Sequence, residues 1–112
     1  MGRKVIVLDP AAGDALIVLA TQIRAGRNKQ RLTQAQFAEH VGVSPATMRA
    51  IEQGNAQVAV GNVFKAATLA GVQLFGEDAA GLAKVAAVSR ETLALLPKRT
   101  MGGPAHALDT DF

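Results

Sequence analysis

One stretch decides the fold: Leu32-Thr33-Gln34-Ala35-Gln36-Phe37-Ala38-Glu39-His40-Val41-Gly42-Val43-Ser44-Pro45-Ala46-Thr47-Met48-Arg49-Ala50-Ile51-Glu52-Gln53-Gly54. Thr33 suits a helix N-cap, because its hydroxyl can accept from an amide that the first turn leaves unpaired. Gln36, three residues on, completes a capping-box pattern. Phe37, Ala38 and Val41 then recur at the spacing of one helix face. Gly42 ends that helix, since glycine enters the left-handed C-cap conformation without a Cβ penalty. Ser44 caps a second helix, and Pro45 takes its first position, where a missing N–H costs nothing. Met48 and Ile51 face inward on it, and Gly54 closes it. Two short helices joined by a tight glycine turn describe a helix-turn-helix, with the small Ala38 where the helices cross.

With Met48 and Ile51 inward, the outward positions are Pro45, Ala46, Arg49 and Ala50. These are the candidate base readers, because a major groove is wide enough to admit one helix. Arg49 is the only charged residue on that stripe. Its planar fork can bond guanine O6 and N7 together, worth about 1–3 kcal/mol of discrimination. Ala46 or Ala50 can touch a thymine methyl. Ser44 and Thr47 reach phosphate or base edges, and Thr33 and Gln34 at the start of the preceding helix are placed to hold a phosphate. Arg24, Arg27, Lys29 and Arg31 fall within eight residues that contain no acid. That cluster would supply the backbone charge that gives affinity without sequence preference. By charge alone, a solvated helix face competes with this reading.

Working outward, residues 3–8 (Arg-Lys-Val-Ile-Val-Leu) are short, β-branched and apolar and read as a strand, broken by Asp9-Pro10-Ala11-Ala12-Gly13. Asp14 caps a helix to Lys29, with Leu16, Leu19 or Ala20, and Ile23 on one face. A fourth helix spans residues 61–70. Val72-Gln73-Leu74-Phe75 alternates as a second strand, and a long helix covers residues 78–96 before Pro97. The expected organisation is a strand and turn over residues 1–13 and a DNA-binding domain over 14–75. A dimerising helix over 76–97 and a tail over 98–112, flexible when free, complete it. Isolated strand pairs are marginal alone, so a homodimer is expected, pairing the strands and the apolar stripe of the last helix between subunits. Its two-fold symmetry would match a palindromic operator.

The residues quoted resemble the phage repressor-like (Cro- or XRE-type) helix-turn-helix family: Leu32 to Ala38, then Val41-Gly42-Val43-Ser44, then Met48 and Ile51-Glu52-Gln53-Gly54. The resemblance covers residues 14–75. It implies five helices, a DNA-binding dimer, a recognition helix over residues 45–53, a phosphate contact at Gln34, and a helix-ending acid and glycine at Glu52 and Gly54. The expected fold is therefore mostly α: a five-helix repressor-like domain, short β-strands near the N-terminus and after helix four, and an extra C-terminal helix. The sequence departs from the family where Pro45 and Ala46 replace the polar or basic readers often found there, so the expectation is either modest specificity or specificity that leans on DNA shape. The flanks, Leu93-Ala94-Leu95-Leu96-Pro97-Lys98-Arg99 and Asp109-Thr110-Asp111-Phe112, are similar to regulators that accompany HipA-like kinase toxins, the HipB-type antitoxins. That similarity implies a repressor that also holds a kinase partner, with Asp109, Asp111 and Phe112 as docking candidates.

The rest of the composition narrows the function. The chain has 112 residues, 49% of them hydrophobic, a net charge of +3 and no cysteine. That suits one α-rich domain and excludes disulfides, thiol catalysis and Cys-ligated zinc. No apolar run approaches the roughly 18–20 residues of a membrane span, so a soluble, cytoplasmic protein is expected. His40 and His106 stand alone, and Ser89 has no base nearby in sequence. Gly76 and Gly81 have phosphate-loop spacing, but Leu82 stands where the lysine belongs. No catalytic residue, metal or cofactor is expected. The competing function is a protein-interaction module that has lost DNA binding. The basic approach region and Arg49 argue against it.

Overall fold

The structure is a computed structural model that describes residues 5–100. Five helices follow one another: α1 (Pro10–Lys29), α2 (Gln34–Val41), α3 (Pro45–Glu52), α4 (Val60–Leu69) and α5 (Ala79–Leu95).

Each of the first three helices starts on a capping side chain. Asp9 accepts the Ala12 amide at 3.4 Å, and Pro10 sits in the first turn. The capping box of α2 is reciprocal: Thr33 Oγ1 accepts the Gln36 amide at 3.1 Å, and Gln36 Oε1 accepts the Thr33 amide at 2.9 Å. Ser44 Oγ accepts the Thr47 amide at 3.0 Å ahead of α3. Gly42 adopts φ 85°, which lets its own amide and that of Val43 both donate to the Ala38 carbonyl, at 2.8 and 3.0 Å. The turn between α2 and α3 is therefore closed by backbone bonds.

The α2–α3 pair packs against α1 and α4. Ile23 from α1, Phe37 and Val41 from α2, and Met48 from α3 are fully buried, and Ala66 and Ala67 of α4 close the core. α1 meets the end of α4 so closely at Gly26 that a Cβ there would collide with the Ala70 carbonyl. In contrast, α5 buries none of its residues.

Three expectations are corrected. First, α1 begins at Pro10, so Asp9-Pro10 is a cap and first turn rather than a strand breaker, and Asp14 lies inside the helix. Second, the described residues contain no strand. Val5 to Asp9 have no regular structure, and Val5 and Val7 are 75% and 88% exposed. β-branched residues favour an extended chain, but a strand needs a neighbour to take up its amides, and among the described residues none pairs with them. Residues 72–75 do alternate: Val72 and Leu74 pack on the core while Gln73 and Phe75 are exposed. Their only ladder element is an isolated bridge between Leu74 and Glu77. Phe75 (φ 55°) and Gly76 (φ 73°) turn the chain back toward α5 before a strand can form. Third, α5 is itself the fifth helix among the described residues, not an addition to a five-helix domain.

Candidate nucleic-acid interface

The candidate interface is built on α3. Met48 and Ile51 are 0% and 2% exposed, so the helix is pinned from behind. Pro45, Ala46 and Arg49 are exposed and Ala50 is half-buried. Among the described residues the Arg49 guanidinium has no hydrogen bond or ion pair, and it is free to meet an acceptor. Thr47 is half-buried, and the Ser44 hydroxyl donates to its Oγ1 at 3.0 Å, so the two hydroxyls at the start of α3 hold one another.

A shallow groove beside α3 adds residues that sequence reading passed over. Ala46, Thr47 and Ala50 form one wall, and Asn55, Gln57 and Asn62 come from the loop after α3 and the start of α4. The loop is shaped by Asn55, whose Oδ1 accepts the Gln57 amide at 2.8 Å and whose own amide donates to the Ala50 carbonyl at 3.0 Å. The signal was present as amide side chains just past the helix-ending Gly54, but without the fold nothing showed that this loop returns to α3.

At the other end of α3, Glu52 gathers several of the predicted phosphate contacts. Its side chain is fully buried. Oε2 accepts from Arg27 Nε at 2.6 Å, and Oε1 accepts from Arg27 Nη2 at 2.9 Å, Gln34 Nε2 at 3.1 Å and Arg24 Nε at 3.3 Å. Arg27 also donates from Nη1 to the Leu32 carbonyl at 2.8 Å, and only 12% of its side chain meets solvent. Burial alone would push the Glu52 carboxyl up. The hydrogen bonds from Arg27 and Gln34, with the Arg27 charge, outweigh it and hold the group below its ordinary value. The bond to Glu52 raises Arg27 in turn, against burial. Both groups therefore stay charged.

The phosphate candidates thus divide. Arg27 faces inward and ties α1 to α3. Arg24 is bonded to Glu52 on one edge but remains half-exposed. Lys29 and Arg31 are exposed at the end of α1 and in the turn before α2. Thr33 serves as a cap, and Gln34 is half-buried with its amide on Glu52. Asp109, Asp111 and Phe112 lie outside the described residues, as do Arg3 and Lys4. No three His, Cys, Asp or Glu side chains come together among the described residues in a way that could hold a metal ion. No helix among them is long and apolar enough to cross a membrane.

The geometry is that of a binding surface: a short, firmly anchored helix with one uncovered arginine and cations around it. The family described as "Helix-turn-helix domain" matches residues 18–96, well over half of the sequence. The chain belongs to this helix-turn-helix family, in its Cro- or XRE-like form, and is by class a DNA-binding regulator. Comparison with curated proteins and with solved structures gave no match.

Proposed function

We propose that the chain is a sequence-specific transcriptional repressor that binds a palindromic operator as a homodimer. α3 enters the major groove, where Arg49 bonds a guanine edge and Ala46 and Ala50 touch bases. Arg24, Lys29 and Arg31, with Ser44 and Thr47 at the α3 start, rest on phosphates. The Asn55–Asn62 side of the groove follows the backbone beyond them. The observation that carries this reading is the split of α3 into a buried Met48–Ile51 side and an uncovered Arg49 side. On the sequence similarity at residues 93–99 and 109–112, the repressor is also the antitoxin of a HipA-like kinase, with Asp109, Asp111 and Phe112 docking the toxin.

The test is to select a preferred duplex from a random pool and titrate it by fluorescence anisotropy. Arg49→Ala is expected to weaken the preferred duplex by about tenfold to a hundredfold and to leave random DNA nearly unchanged. Equal losses on both would make Arg49 a phosphate contact. Failure of any duplex to emerge, even at low salt, would leave the interaction-module reading in possession.

A further inference from the structure

We propose that α5 and Phe75 form the surface on which two copies of this chain pair, with the two α5 helices antiparallel about a two-fold axis and Lys84 of each copy facing the partner's Glu91. The proposal rests on the dimeric reading above and assigns the dimer its surface and register.

At about 100° per residue, Val85, Val88, Thr92 and Leu95 fall on one side of α5, and Leu96, its C-cap, follows them. Of these, Val85, Val88, Leu95 and Leu96 are 46%, 60%, 86% and 55% exposed. Thr92 turns its hydroxyl back onto the Val88 carbonyl at 3.0 Å, so its methyl adds to the apolar side. Phe75 extends the surface. The residue is 78% exposed, its ring is met edge-on by Phe64, and it borders an open apolar hollow with Val85 and Ser89. It is held there at φ 55°, a region that a bulky L residue rarely enters. Phe75, Val85, Val88, Leu95 and Leu96, exposed together rather than scattered singly, mark a contact surface.

Charge identifies the occupant. Lys84 and Glu91 are exposed, seven residues apart, on the same flank of the stripe. In an antiparallel pair centred near Val88 each flank meets itself, so a residue before the axis faces one after it. Lys84 then meets the partner's Glu91 and the pair is repeated by symmetry. A parallel pair would set this flank against the partner's Ser89 and Leu96, which carry no charge. The antiparallel arrangement also lays Leu95 and Leu96 of one copy over the Phe75–Val85 hollow of the other, and the contact closes on itself without leading to a filament.

The test is sedimentation equilibrium of the full chain at low salt, with the selected duplex titrated in parallel. Lys84→Glu and Glu91→Lys are each expected to weaken self-association by about tenfold, and the double exchange K84E/E91K to restore it to within about threefold. Val88→Asp, which places two carboxylates across the axis, should abolish the dimer at micromolar concentration. All three positions are exposed, so circular dichroism melts taken at concentrations where the parent is itself monomeric should match the parent. A double exchange as weak as the single variants overturns the register. A dimer that survives Val88→Asp and still binds a palindromic duplex overturns the surface and leaves the repressor reading standing. A monomer that dimerises only after removal of residues 101–112 assigns the surface to the chain's own tail and overturns the proposal. A monomer that binds single half-sites overturns both this inference and the dimeric operator reading.

Discussion

Glu52 carries more of the local structure than its place at the end of α3 suggests. One carboxylate receives Arg27 through two nitrogens, with Gln34 and Arg24 beside it, and so ties α1, α2 and α3 at a single point. The resemblance placed an acid there, but its partners stand 28, 25 and 18 residues earlier. Helical periodicity relates neighbours within a few residues and says nothing about such distances. That is why Arg24, Arg27 and Gln34 all read from sequence as outward-facing contacts, while Arg49, whose surroundings depend only on its own helix face, was legible. Because the carboxyl is held below its ordinary value of 4.5, it adds stability above that value and loses it as pH falls through the folded-state pKa. Glu52→Gln leaves Arg27 buried without its counter-charge and is expected to cost about 3 kcal/mol at neutral pH. The variant's stability should also change less than the parent's between neutral pH and acid. Thermal melts followed by circular dichroism from pH 7 to pH 3 measure both. Parallel pH curves for the two proteins would show that the Glu52 charge is not what links α1 to α3.

At the level of elements, what could be read locally was read well. Caps at Thr33 and Ser44, the stop at Gly42 and the inward pair Met48–Ile51 each depend on groups within one or two turns. The start of α1 was equally local but was obscured by the apolar run before it, which drew Asp9-Pro10 into a strand boundary although Ser44-Pro45 obeys the same capping rule. Residues 72–75 misled in another way, because alternation records which side chains are buried and not whether a second strand lies alongside. α1 also holds two glycines whose replacement separates helix propensity from packing. At Gly13 a Cβ would meet nothing within 4 Å, so Gly13→Ala should stabilise the protein by about 0.5–1 kcal/mol through helix propensity. At Gly26 the same change drives a methyl into the backbone carbonyl of Ala70, which cannot rotate away, and should destabilise by about 1–3 kcal/mol as α1 and α4 are pushed apart. Urea unfolding of the two variants gives the comparison. If both shift in the same direction, the α1–α4 contact is looser than the structure has it.

The whole molecule combines a small net charge of +3 with a local acid-free run at residues 24–31, so its attraction for a polyanion belongs to a surface rather than to the chain as a body. With Arg27 held inward, each protomer of the proposed dimer would offer Arg24, Lys29 and Arg31 from that run to the DNA backbone. Each phosphate neutralised releases condensed counterion, and the affinity of a dimer making six such contacts should fall with salt at a log–log slope of about −5. Counting Arg27 in both protomers would steepen that to about −7. Symmetry supplies the more telling measurement. Lys29→Ala deletes one charge from the sequence but two from a dimer on its operator, so the slope should flatten by about 2 rather than about 1. Titrating the selected duplex between 50 and 200 mM salt resolves the difference, because the intercept reports total affinity while the slope counts charges. A flattening of about 1 would mean that one protomer alone engages the DNA. No change would remove Lys29 from the interface and shift the backbone contacts toward the α3–α4 loop.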